Sequence, residues 1–215
     1  MKTRMKKWLV IFGAVVLIMQ LSLTASAHEF SPQRYFGNLS RPVGSQAQVN
    51  FNYHLASTTS NSTYRTRAQN AISAWVSACP RISTFQFTST IGANIVFSDS
   101  WPSSYNEYWV GAFAPSLTSA TLLNYGTGWT TPTSYKTVDR INSGTIYANI
   151  SEQAWWSYSP EESTKTYLHE IGHALGFNDT NDGTTSVMRQ EQLSYLTPQA
   201  HDVTDFNAKY TWVSW

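Results

Sequence analysis

The chain holds 215 residues, of which only 13% are charged, with a formal net charge of +1 and one cysteine. Four of its basic residues fall in the first seven positions, so without them the charge drops from +1 to −3, and there is no electrostatic footprint for nucleic acid. The lone Cys79 excludes an intramolecular disulfide, so stability must come from packing or from metal.

The first element is a leader. Lys2, Arg4, Lys6 and Lys7 are followed by the apolar run Trp8–Leu23 and by Ala25-Ser26-Ala27. A basic head, an apolar core and a small-x-small site define a secretory signal peptide, cut after Ala27. The apolar run is short for a bilayer span, and no later stretch is apolar enough to be one. The division is therefore 1–27 signal peptide and 28–215 a single domain. The expected protein is extracellular and monomeric, without stable membrane association.

Residues 28–47 read as polar and irregular. Gln48–Leu55 alternates, with Val49, Phe51, Tyr53 and Leu55 on one face, and predicts a strand. Tyr64–Cys79 has Ala68, Ala71, Ile72, Trp75, Val76 and Cys79 at helical spacing, and Pro80 ends it. Short strands are expected at Phe85–Thr88 and Asn94–Ser98, and an apolar one at Tyr108–Ala114, stopped by Pro115. Ser116–Gly144 is rich in Ser, Thr, Gly and Asn and reads as a long surface insertion. A strand follows at Thr145–Ile150. Ser159-Pro160-Glu161-Glu162 opens a helix, with an N-cap, a proline in the first turn and acids behind it. Thr197-Pro198 opens a last helix, running to about Tyr210. Strand, helix, strands and helices in this order predict an α+β domain with a twisted mixed sheet, three helices and a small C-terminal subdomain.

The chemistry lies in residues 169–179, His-Glu-Ile-Gly-His-Ala-Leu-Gly-Phe-Asn-Asp. His169 and His173 are four apart, one helical turn, so both imidazoles can reach one Zn²⁺. Glu170 follows the first histidine and can lean over a water on the metal as general base. Gly176 stands where a helix can end with positive φ, and the turn brings round Asp179 as a third ligand. Glu191 is the alternative third ligand.

HEIGHALGFND resembles the zinc signature of the metzincin proteases, His-Glu-x-x-His-x-x-Gly-x-x-His/Asp. Ser186-Val187-Met188 is similar to the methionine turn of that family, and Val110–Pro115 resembles its edge strand. The Asp in the third position is similar to the minority branch that includes small secreted bacterial proteases of the snapalysin type. No matrixin-like cysteine switch precedes it. The resemblance implies a metzincin-like fold and a secreted zinc metalloendopeptidase that cuts extended polypeptides. In it His169, His173 and Asp179 bind Zn²⁺, and Glu170 is catalytic. A non-catalytic zinc-binding or adhesion protein, and a gluzincin-type peptidase using Glu191, are the alternatives.

Other residues are weighed beside these. Asn178–Gly183 is oxygen-rich, but a polar turn explains it as well as Ca²⁺ does, so calcium is unassigned. Tyr195 is considered as an oxyanion donor, although no spacing requires it. Cys79 is read as a buried structural thiol rather than a cap on the metal. His28 and His54 lack partner spacing, and His201 is read as a helix-packing residue. Nine Trp and twelve Tyr suit a core or a groove for a polymer. Trp155-Trp156 is assigned to the core.

Overall fold

The computed structural model describes residues 34–42, 45–56, 62–125 and 129–215. Residues 1–33, among them the expected leader and His28, lie outside the described residues. Among the described residues no helix is long and apolar enough to cross a membrane.

The expected strand at 48–55 is β3 (Gln48–Ala56), after two short strands, β1 (Arg34–Phe36) and β2 (Leu39–Ser40), in a stretch that reads as irregular. Strict alternation in β3 turns Val49, Phe51, Tyr53 and Leu55 into the core. Helix α1 (Ser62–Ala78) buries Ala68, Ala71, Ile72 and Trp75, the stripe that its period of 3.6 dictates. Strands β4 (Ile82–Phe87) and β5 (Ile95–Ser98) both pair with β3 in parallel, and β5 also pairs in parallel with β7 (Pro132–Ala148). Strand β6 (Gly111–Tyr125) runs antiparallel to β7, and β8 (Val213–Ser214) pairs with its far end. Together they form one mixed eight-stranded sheet, ordered β2-β3-β5-β7-β6-β8, with β1 on β7 and β4 on β3. The class is α+β, as expected.

Three expectations need correction. The segment 116–144 is not a surface insertion: β6 and β7 form a long hairpin through it, paired from Gly111–Ala148 to Tyr125–Pro132. Pairing along that length holds polar strands in the sheet with little burial, so hydrophobic alternation does not reveal them. The strand expected at 108–114 starts only at Gly111 and continues through Pro115. That proline is tolerated because β6 is an edge there: among the described residues, its other side meets β8 only at Leu123 and Asn124. Among the described residues there are four helices rather than three, since α2 (Ile150–Trp155) precedes α3 (Pro160–Ala174) and α4 (Ala200–Lys209).

Helix α3 is the centre of the molecule. Its N-terminus carries a full capping box, in which Ser159 Oγ accepts from Glu162 N at 3.2 Å and Glu162 Oε2 accepts from Ser159 N at 2.7 Å. Nearly every residue from Ser163 to Ala174 is buried. Trp75 of α1 donates from Nε1 to Leu168 O at 3.0 Å and stacks on Phe177 at 5.9 Å, which fixes α3 against α1. Cys79, at the end of α1, is buried, and burial pushes its thiol up to about 12. It is an inert core residue, as expected.

Candidate metal centre

The C-terminus of α3 is a sharp turn held from three sides. Gly176 sits at φ +80°, and a Cβ there would meet Arg34 O of β1 at 2.5 Å, so only glycine satisfies both conformation and contact. The buried Tyr210 hydroxyl donates to Leu175 O and accepts from Phe36 N, each at 2.9 Å, tying α4 and β1 to this turn. The chain thereby doubles back and brings Asp179 over the face of α3 that carries His169 and His173.

The three side chains converge. His169 Nε2 and His173 Nε2 lie 3.1 Å apart, and Asp179 Oδ1 is 3.0 and 3.3 Å from them. His169 Nδ1 contacts Val187 O at 3.0 Å, and His173 Nδ1 contacts Phe177 O at 2.9 Å. A carbonyl only accepts, so both Nδ1 atoms carry the proton and both Nε2 lone pairs point inward. Asp179 Oδ1 is buried, and the groups it faces are the two histidine Nε2 atoms. Two lone pairs and a carboxylate oxygen facing one another repel unless a cation or a proton lies between them. For bonds of 2.0–2.1 Å, a tetrahedral ion keeps its ligands about 3.3 Å apart, close to the three separations found. The group fits a small divalent ion, and among the described residues it is the one cluster of three such side chains.

Without metal, a proton takes that place. Burial opposes a charged His173, but the Asp179 hydrogen bond, the Glu170 charge and the Phe177 carbonyl raise its pKa overall. Burial also opposes the Asp179 carboxylate, and the two histidines still hold its carboxyl below the ordinary range.

Outer partners complete the group. Gln190 Nε2 donates to Asp179 Oδ2 at 2.9 Å, which leaves Oδ1 for the centre. Lys165, on α3 one turn before His169, holds the segment that carries Gln190: its Nζ donates to Arg189 O and, at 3.3 Å, to Glu191 O. Burial lowers the Lys165 pKa to about 8, against the pull of Glu170, Glu191 and Asp179. Beneath the histidines, Asp202 is buried and accepts from Ser186 Oγ at 2.5 Å, Val187 N at 3.1 Å and Gln199 N at 2.7 Å. Ser186 Oγ in turn accepts from Met188 N at 2.8 Å. This network fixes the Val187 carbonyl that orients His169. Met188 is fully buried against Gly172, where any Cβ would strike its sulfur.

Glu170 is buried beside the group without belonging to it, and it lines a cleft of about 590 Å³ with His169, His173 and Asp179. The opposite wall is the start of β6. At Gly111 a Cβ would lie 2.9 Å from Glu170 Oε1 and 2.5 Å from Thr166, so the bare backbone makes room for the carboxylate. A second cavity of about 400 Å³ shares Phe113, His173 and Asp179 with the first and ends at Arg34.

Of the other residues considered, Glu191 lines the cleft but is paired with Arg189 at 2.5 and 2.9 Å, and stands outside the cluster. Tyr195 packs on the core and does not line the cleft. Asp182 Oδ1 accepts from Thr180 Oγ1 and Thr184 N, each at 2.9 Å, so it closes a polar turn. Trp155 and Trp156 are corrected from core to surface: they are 79% and 56% exposed. Sequence reasoning missed Lys165, Gln190 and Asp202.

No protein-family model matches the chain, and no curated protein matches it. Among solved structures, the crystal structure of myroilysin is similar, with 14% identity and a TM-score of 0.41, covering 83% of this chain and 89% of that one. A likeness of that degree defines no function, which has to be read from the site itself.

Proposed function

We propose that the chain is a secreted zinc-dependent endopeptidase of metzincin-like design, with its catalytic domain in residues 28–215 after removal of the leader. The observation that carries this reading is Glu170 beside three convergent donors, on the floor of a cleft whose wall is a strand edge. His169, His173 and Asp179 would hold the ion. Two imidazoles and one carboxylate are a common donor set for Zn²⁺, and they leave a fourth position open. The chemistry supplied by bound Zn²⁺ is polarisation of a carbonyl and acidification of a water.

The protein's own groups do the rest. An extended peptide adds to the edge of β6 at Gly111–Ala114 and is thereby aligned with its carbonyl over the three donors. The two cavities continue past the group on both sides, which suits a bond inside a chain rather than at its end. Glu170, buried and unhindered at Gly111, takes the proton of the attacking water and passes it to the leaving nitrogen. An intact Glu170 argues against a metal scaffold without catalysis, which has no use for that carboxylate.

The test is Glu170→Gln. Removal of a positioned base lowers casein or peptide turnover by about 10²–10⁴-fold while zinc content stays at one per chain. A variant that holds zinc and cleaves at the wild-type rate would refute the mechanism.

A further inference from the structure

The rim of the cleft carries aromatic surface that this chemistry does not use. Tyr108, Trp109 and Trp156 are 68%, 53% and 56% exposed, yet all three line the cleft that holds Glu170 and the donor group. Large rings left in water beside a cavity mark a binding surface, whereas rings scattered singly do not.

The rings are held in place from behind. Buried Asn149 donates from Nδ2 to Glu107 O at 2.8 Å, and its backbone N donates to Val110 O at 3.1 Å. Buried Gln153 adds a bond from Nε2 to the same Val110 carbonyl at 2.9 Å. Two amides thus bolt the segment 107–110 to α2 and to its N-cap. Trp109 rests edge-on against Tyr105 at 6.3 Å, which packs on Trp101 and Tyr147 at 5.7 Å each. Trp156 donates from Nε1 to Glu152 Oε1 at 2.6 Å. Ser157 then takes φ +55°, an uncommon value for a residue with a side chain, and the turn lets both Trp156 and Tyr158 face the cleft. Rings fixed in this way lose little freedom on binding.

We propose that Tyr108, Trp109 and Trp156 form a subsite for one large apolar or aromatic side chain of the polypeptide substrate, on the stretch that lies over the N-terminal half of α3. The inference rests on the endopeptidase reading. The occupant is a peptide because the rings border the strand edge at Gly111. Asn149, Gln153 and Glu152 are engaged in holding the scaffold behind the rings.

The test uses fluorogenic peptides with one scissile sequence, carrying Trp, Phe, Ala or Glu at single positions up to three residues on either side of the bond. At one position, on one side only, Trp or Phe lowers KM about tenfold relative to Ala with little change in kcat. Trp156→Ala and Trp109→Ala bring that ratio to within about twofold, and Trp156→Phe keeps most of it. Trp155→Ala, which does not touch the cleft, leaves it as in the wild type. A tenfold ratio that survives Trp156→Ala and Trp109→Ala would overturn the subsite, as would the absence of any aromatic preference. Binding of the same peptides to zinc-loaded Glu170→Gln, followed by tryptophan fluorescence, separates the two readings. Aromatic-dependent binding with no hydrolysis by the wild type supports the subsite and sinks the protease. Hydrolysis without aromatic-dependent binding does the reverse. Retention on chitin or cellulose that needs Trp156, without discrimination among the peptides, would make the rim a carbohydrate surface and overturn the proposal.

Discussion

The floor and the rim of the cleft are built on opposite principles. The floor is polar and buried. His169, Glu170, Lys165, Ser186 and Asp202 are all shielded from water, and each histidine is aimed by a backbone carbonyl that the fold fixes. The rim is aromatic and exposed, and its hydrogen bonds lie behind the rings. A buried polar group without its partner costs folding energy, so the floor is bound to stability. An exposed ring costs little when removed, so the rim is free to answer to the ligand. The difference teaches where substitutions will act: on the floor they change folding and metal together, and on the rim they change recognition alone.

The comparison breaks most readily at Asp202. Asp202→Ala leaves Ser186 Oγ, Val187 N and Gln199 N without their acceptor, and unfolding in urea should show a loss of about 3–5 kcal/mol, with zinc affinity falling as well. Stability unchanged within about 0.5 kcal/mol would show that the floor is not bound to folding in this way. Gln190→Ala is milder. It frees Asp179 Oδ2 while leaving the core intact, so zinc affinity should fall about 10–100-fold, as measured by competition with a chelating dye, with little change in melting temperature. At the small end, Trp156→Ala should leave stability within about 0.5 kcal/mol of the wild type while its effect appears in KM. A large loss of stability there would make the rim a structural element like the floor.

How much of this the sequence carries depends on the range of the interactions. Helices α1 and α3 and strand β3 are legible because their periodicity is local, and Ser159 and Glu162 announce the capping box from three residues apart. His169, Glu170, His173 and Asp179 are legible because a helix and one turn bring them together within eleven residues. The β6–β7 hairpin is not, since Ser, Thr and Asn are held there by cross-strand pairing rather than by burial. Lys165 and Gln190 act on partners 24 and 11 residues away, and Asp202 reaches back 16 residues to Ser186. No local pattern marks such contacts. Trp155 and Trp156 mislead for a related reason: tryptophan composition says core, and only the tertiary position of α2 leaves them in water.

The central claim is that Asp179 completes the metal group and Glu191 does not. The most direct measurement is zinc titration of the metal-free protein by calorimetry, for the wild type, Asp179→Ala and Glu191→Ala, at pH 6 and pH 7.5 in buffers of different ionisation heat. Because the His173 pKa is raised in the metal-free group, a proton must leave before the ion binds. Affinity therefore rises with pH, and the protons released per zinc are more numerous at pH 6 than at pH 7.5. The account predicts one tight site in the wild type and in Glu191→Ala, and a loss of more than about 100-fold in Asp179→Ala, beyond what an outer partner costs. Normal zinc binding by Asp179→Ala together with weakened binding by Glu191→Ala would contradict it.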